Sequence, residues 1–250
     1  VYGGTEVGGV GSASKPYDPV LGHIGSVPPG IQAKLLSIPE LNYHVTDYDV
    51  EGNSCPRGEL CLKGNTIFKG YYRDPERTKE ALDAEGWLHT GDIAALDQFG
   101  RLKIIDRKKA IFKLSQGEYV APEKVESVYA LCRFVGQCWV YGDSLRDYTV
   151  AVVVPDEDTT VKESKAKLKL EGNLAQLVAR PEVKQMILDD LTEVGKEAGL
   201  TGFERVKNIS LQSEMFSPEN VLTPTLKLRR NIAKEHFGEL IEKLYSEKIQ

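Results

Sequence analysis

Four short groups of residues in this chain carry side chains able to do chemistry. The first, Tyr2-Gly3-Gly4-Thr5-Glu6, joins a glycine pair to a hydroxyl and a carboxylate. Backbone N–H groups at such glycines, with the Thr5 hydroxyl, can cradle a phosphate, and the Glu6 carboxylate can hold a hard cation such as Mg²⁺. The same residues also suit a plain glycine-rich loop with a capping Thr-Glu. A Gly-x-x-x-x-Gly-Lys-Ser/Thr loop occurs nowhere in the chain.

The second group is Thr90-Gly91-Asp92. A carboxylate after a turn can accept hydrogen bonds from a ribose diol, or it can simply cap the turn. His89 beside it reads as a structural donor, since no serine or carboxylate neighbours it in a triad-like pattern. The third is Asp106-Arg107-Lys108-Lys109. It is either a solvated charge run or a hinge, and the planar fork of Arg107 suits a diol or a phosphate. The fourth is Leu222-Thr-Pro-Thr-Leu-Lys-Leu-Arg-Arg230. Pro224 excludes a helix interior, so Lys227 lies on a loop or extended piece. From there it can neutralise developing charge in a cleft, or stand exposed ahead of a helix.

These groups need elements to position them. Ile31–Leu35 and Arg57–Gly64 read as strands of a small β subdomain. Asp74-Pro75 starts a helix running to about residue 83, with Asp74 as cap and Pro75 at the first helical position. Leu102–Asp106 and Ala110–Leu114 are strands on either side of the basic cluster and could form a ribbon. From Pro122 the apolar spacing Val125, Val128, Tyr129, Cys132 is helical. Gln137–Tyr141 and Thr149–Val154 follow as strands, the second apolar enough to sit centrally in a sheet. An exposed lysine-rich helix over 161–170, a helix from Pro181, a strand Val206–Leu211 and a last helix bearing Phe237, Leu240, Ile241, Leu244 and Tyr245 complete the pattern.

The 250 residues suffice for two modest domains, and the net charge of −5 argues against a dedicated nucleic-acid binder. No apolar run is long enough to span a bilayer, and no secretory signal is present. Cys55, Cys61, Cys132 and Cys138 show no Cys-x-x-Cys pair and no metal-ligand spacing to a histidine. They read as free thiols of a reducing compartment, with neither a zinc site nor a thiol nucleophile expected.

Taken in order, the motifs resemble the C-terminal part of the adenylate-forming (AMP-binding) superfamily. Tyr2–Glu6 resembles its Tyr-Gly-x-Thr-Glu, and Gly86-Trp-Leu-His-Thr-Gly-Asp92 its Gly-Trp-x-x-Thr-Gly-Asp. Asp106-Arg107 resembles its hinge motif, Gly117-Glu118 its mobile loop, and Lys227 its catalytic lysine. Phe68–Pro75, Ile105–Glu126 and Leu222–Arg230 are most similar to long-chain fatty-acid–CoA ligases.

The resemblance implies a mixed α/β and α+β architecture. Residues 1–105 would be the incomplete end of the large AMP-binding domain with its β subdomain. Residues 106–250 would be a compact, mobile α+β lid hinged at Asp106. It also implies ATP-driven activation of a long-chain fatty acid to acyl-adenylate, then transfer to coenzyme A. Tyr2 and Gly3 would contact the adenine side and backbone of the nucleotide, Thr5 the α-phosphate and Glu6 the Mg²⁺. Asp92 and Arg107 would hold the ribose, Lys227 the reacting groups, and Gly117, Glu118 and Tyr119 the coenzyme A path.

The family's Ser/Thr/Gly-rich phosphate loop is absent from the chain, and its place in the family is upstream of Val1. The isolated chain is therefore expected not to form acyl-adenylate. An intracellular setting is implied, with an organelle or a cytosol-facing membrane both open. Membrane attachment would come only through an upstream part. Two alternatives remain: an adenylating enzyme with a carrier-protein acceptor, and an inactive nucleotide- or acyl-CoA-binding module.

Overall fold

The structure, a computed structural model, describes residues 1–247. It divides into two compact units, Val1–Lys109 and Ala110–Gln250.

In the first unit, β1 (Ile31–Leu36), β2 (Arg57–Gly64), helix α1 (Pro75–Ala81), β3 (Leu88–Leu96) and β4 (Leu102–Arg107) follow in order. The strands form one antiparallel sheet, β1-β2-β3-β4. Leu60, Leu62, Leu88, Ala94 and Leu102 are buried with Ile31 and Val7 in its core. The α1 start is as expected: Asp74 accepts from the Arg77 N–H, and Pro75 begins the helix. The expected ribbon between residues 102–106 and 110–114 does not form. β4 pairs with β3, and its Leu102 also bridges to Gly25. Gly117, at φ +98°, supplies a tight turn that lets Phe112–Lys113 pair with Tyr119–Val120 instead.

The second unit contains that pair, β5 (Phe112–Lys113) and β6 (Tyr119–Val120), then α2 (Pro122–Tyr129), β7 (Val135–Tyr141) and β8 (Val150–Pro155). Helices α3 (Glu157–Glu163), α4 (Leu174–Leu177) and α5 (Pro181–Glu197) lead to β9 (Asn208–Leu211), and α6 (Arg230–His236) and α7 (Gly238–Ser246) follow. β8 lies between β7, antiparallel, and β9, parallel. Its run of apolar residues is explained by burial on both faces. Ala151 and Val153 join the core under α2 and α5, with Val125, Tyr129, Val183, Ile187 and Leu191. Val152 and Val154 join a second core with Trp139, Phe216, Phe237 and Ile241.

Two sequence expectations are corrected here. The lysine-rich helix begins earlier, at Glu157, and widens through Ser164–Leu168; Thr160 in the first part and Ser164 in the second are buried. The last helix is two helices, interrupted at Phe237 ahead of Gly238.

Candidate functional site

Thr90-Gly91-Asp92 is not a free turn but a bulge inside β3. Across β2–β3, Glu59 pairs with Ile93 while Cys61 pairs with His89, so three residues of β3 stand opposite Leu60 alone. Gly91 makes this possible with φ +72°. The excess chain is pinned by the Thr90 hydroxyl, which donates to the Leu60 carbonyl at 2.7 Å and accepts from the Asp92 N–H at 3.1 Å. A bulge of this kind re-aims one side chain, and here that side chain is Asp92.

The Asp92 carboxylate joins two other sequence candidates. The Tyr2 hydroxyl donates to its Oδ2 at 2.6 Å, and Arg107 Nε lies 3.2 Å from its Oδ1. Burial, then the hydrogen bond to Asp92, pushes the Tyr2 hydroxyl well above its usual range, so it stays a donor. The loop that carries Tyr2 is held by its own backbone: Tyr2 N–H donates to Ser12 O, and Tyr2 O accepts from Gly11 N–H. A Cβ on Gly3 would collide with the Gly9 carbonyl, so the glycine is required there by sterics.

Thr5 and Glu6 begin a single tight helical turn, Thr5–Val7, closed by Gly8 at φ +73°. Thr5 is exposed and Glu6 half-buried. Tyr71, which composition and spacing did not single out, donates its hydroxyl to Glu6 Oε1 at 2.9 Å. Burial and that carboxylate raise the Tyr71 hydroxyl above its usual range. The Phe68 N–H donates to the Glu6 carbonyl, so the Phe68–Pro75 stretch is what orients the carboxylate.

Asp106 is buried in β4, three residues before the division between the units. Its Oδ2 accepts from the Tyr43 hydroxyl at 2.9 Å and its Oδ1 from the Arg107 N–H at 2.8 Å. The β3–β4 register also shifts between Ile93 and Ala94, giving β4 an extra residue beside Asp106.

In the second unit, Gly117 and Glu118 lie in the β5–β6 turn and Tyr119 opens β6, with Glu118 O accepting from the Leu114 N–H. Lys227 is exposed on a tight reversal closed by the Leu222–Leu228 bridge. Thr223 grips it twice: its N–H donates to Lys227 O at 2.7 Å, and its Oγ1 accepts from the Lys227 N–H at 3.0 Å. Leu226 adopts φ +60°, a conformation that disfavours non-glycine residues. The reversal is anchored behind Lys227 by Arg230, whose fork donates to Glu126 of α2 at 2.9 and 2.6 Å. Both interactions lie far apart in sequence or involve ordinary loop residues, and no spacing signals them.

The cysteines are free. Burial, followed by the charge of Glu59, pushes the Cys61 thiol up to about 12, and burial pushes Cys132 up to about 11. Neither is a thiolate nucleophile near neutral pH.

The chain shares its mixed α/β fold with solved adenylation domains, and its first unit gathers Tyr2, Asp92 and Arg107. Residues 124–196 match the family described as the AMP-binding enzyme C-terminal domain. The chain is related over nearly its whole length to long-chain fatty-acid–CoA ligases. It is 49% identical over 247 residues to long chain acyl-CoA synthetase 6, peroxisomal, of Arabidopsis thaliana, covering 98% of this chain and 34% of that one. With human long-chain-fatty-acid–CoA ligase 6 the identity is 47%, over 98% and 34%. Among solved structures, the adenylation–carrier didomain of a carboxylic acid reductase from Segniliparus rugosus, in complex with AMP, matches with a TM-score of 0.74. That match has 37% identity and covers 88% of this chain and 28% of that one. The chain spans about a third of the length of the curated relatives it matches. Among the described residues no helix is long and apolar enough to cross a membrane.

Proposed function

We propose that the protein to which this chain corresponds activates long-chain fatty acids with ATP and passes the acyl group to coenzyme A. In the first half-reaction a carboxylate oxygen attacks the α-phosphorus, the bond to the β-phosphate oxygen breaks, and pyrophosphate leaves. In the second the coenzyme A thiol attacks the acyl carbon, loses its proton and expels AMP. The observation that carries the reading is the convergence of Tyr2 and Arg107 on the Asp92 carboxylate.

Tyr2 fixes an aromatic platform beside the carboxylate that takes the ribose diol, and Arg107 neutralises that carboxylate and holds the sugar edge. A carboxylate has about four lone-pair sites, so two protein donors leave capacity for a diol. Gly3 and Thr5 face the α-phosphate. The residues around Glu6 fit a hard cation: Tyr71 holds one carboxylate oxygen and leaves the other for Mg²⁺. That ion would offset charge on the phosphates.

Lys227, projected by the Thr223 reversal, stabilises the negative charge shared by the reacting carboxylate and phosphate. Residues 106–250 act as the moving lid, with Asp106 its hinge and Gly117–Tyr119 serving the coenzyme A step. One observation favours a second acceptor. The AMP-bound structural relative is an adenylation–carrier didomain, so a carrier's phosphopantetheine thiol could replace coenzyme A. The higher identity to acyl-CoA synthetases favours coenzyme A.

The test is Lys227→Ala in the full-length protein. ATP–pyrophosphate exchange should be lost while thioester formation from supplied acyl-adenylate and coenzyme A persists. Equal loss of both half-reactions would overturn the role of Lys227. Turnover only with a loaded carrier protein would establish the second reading.

A further inference from the structure

Behind the Thr90–Asp92 bulge, three ligand-type side chains meet on one face of the β2–β3 pair. Glu59 and Cys61 flank Leu60 on β2, and side chains two apart on a strand share a face. His89 joins them because it pairs with Cys61 across the strands. Glu59 Oε, Cys61 Sγ and a His89 ring nitrogen all lie within 4.8 Å of one another. His89 Nδ1 is 3.4 Å from Glu59 Oε2 and 3.6 Å from Cys61 Sγ. A tetrahedral cation with ligand bonds of about 2.0–2.3 Å separates its ligands by roughly 3.3–3.8 Å.

A hydrogen-bond network alone serves this group poorly. The single Nδ1 faces both Glu59 and Cys61, and it can donate to the carboxylate or accept from the thiol but not both at once. The thiol's own acceptor, the Glu59 carbonyl, is at 3.9 Å, a weak contact. A cation between the three atoms would satisfy all of them. The surroundings also resemble the outer partners of a metal centre. Asp83 Oδ2 stands 3.6 Å from the far ring nitrogen, His89 Nε2. The Gly91 N–H donates to the other Glu59 oxygen at 3.3 Å. Cys61 and Glu59 are buried, and the partly exposed His89 edge gives access. Lys108 Nζ, 3.4 Å from Glu59 Oε2, is the positive charge that an incoming cation would displace.

We infer that Glu59, Cys61 and His89 form a binding site for a soft divalent cation of the zinc class, with a solvent molecule as fourth ligand. Binding forms bonds from oxygen, sulfur and nitrogen and releases the Cys61 proton to solvent, with no change of oxidation state. A thiolate–imidazole pair selects such ions over Mg²⁺. The cation would tie β2 to β3 at the root of the bulge that aims Asp92. Its binding is independent of the acyl-activation reading, whereas any effect on nucleotide affinity rests on it.

Spectroscopic titration with Co²⁺ alone tests the site. One equivalent should give tetrahedral ligand-field bands and a thiolate-to-metal charge-transfer band, which Zn²⁺ abolishes by competition and Mg²⁺ leaves unchanged. Cys61→Ser should remove the charge-transfer band, and Cys55→Ser should keep it. Asp83→Asn should weaken binding about tenfold by loosening the imidazole, and Lys108→Met should strengthen it. His89→Gln keeps the buried thiol in place and should lower affinity, which decides the matter if Cys61→Ser fails to fold. Absence of the bands in excess Co²⁺, or a charge-transfer band unchanged in His89→Gln, would overturn the inference. Failure of Lys227→Ala to affect adenylation would leave these spectra untouched, so the two readings fail separately.

Discussion

Arg230→Met tests whether the lysine reversal is anchored through α2. The Arg230 and Glu126 side chains are only 22% and 16% exposed, and both forks of the pair are satisfied. Deleting the guanidinium leaves Glu126 with the Val140 N–H at 2.9 Å as its remaining donor among these contacts. Breaking a buried pair while its partner stays charged costs about 3–5 kcal/mol, and the residual exposure here argues for about 3. That corresponds to a loss of roughly a hundredfold in the folding equilibrium. With a urea dependence of about 2 kcal/mol/M, the midpoint should fall by about 1.5 M.

The assay can be confined to the right unit, because the two tryptophans, Trp87 and Trp139, fall in different units. In a Trp87→Phe background, fluorescence reports Trp139, which is buried in the same core as Val221, Leu222 and Phe237. Glu126→Gln and the double variant complete a cycle, and the coupling should exceed about 1 kcal/mol. A coupling near zero, or a midpoint shift under about 0.3 M, would refute the anchoring argument.

Three further outcomes are expected. Tyr71→Phe in the full-length protein should raise the KM for Mg²⁺-ATP about tenfold, since a hydrogen bond to a charged group is worth about 1.5 kcal/mol. The KM for coenzyme A should not move, and unchanged nucleotide kinetics would count against Tyr71 as the group positioning Glu6. For Glu204, burial alone would raise the carboxyl. Hydrogen bonds from Lys124 and Thr201 outweigh it and hold the group below its ordinary 4.5. A depressed carboxyl adds stability above its unfolded value and loses it as pH falls through the folded one. The stability gap between the native chain and Lys124→Met should therefore be full near neutrality and shrink on acidification below about 4.5; urea unfolding at several pH values would expose a flat gap. Gly58→Ala should lower the stability of the first unit by about 1–3 kcal/mol, because the new methyl would fall on the Leu36 carbonyl. Trp87 fluorescence during unfolding measures this, and an unaltered midpoint would contradict the packing.

Local pattern determined a good deal by itself. The Asp74-Pro75 helix start, the Arg57–Gly64 strand and the doubly buried strand after Thr149 depend on neighbouring residues, whose steric and apolar preferences are written in consecutive letters. The ordered motifs likewise carried the relation to adenylate-forming enzymes. Pairing was not legible, because it is settled by competition among distant segments. β4 took β3 as its partner, and the glycine turn gave β5 to β6. The same cause made Thr90-Gly91-Asp92 look like a turn, since a bulge exists only relative to the strand it is out of step with. Tertiary structure alone brought Tyr71 to Glu6, Tyr43 to Asp106 and Arg230 to Glu126, across separations of 65, 63 and 104 residues. It also brought His89 to Cys61, 28 residues away, where metal-ligand spacing along the chain has no meaning. Sequence named the candidate groups, and only the folded sheet decided which side chains hold them in place.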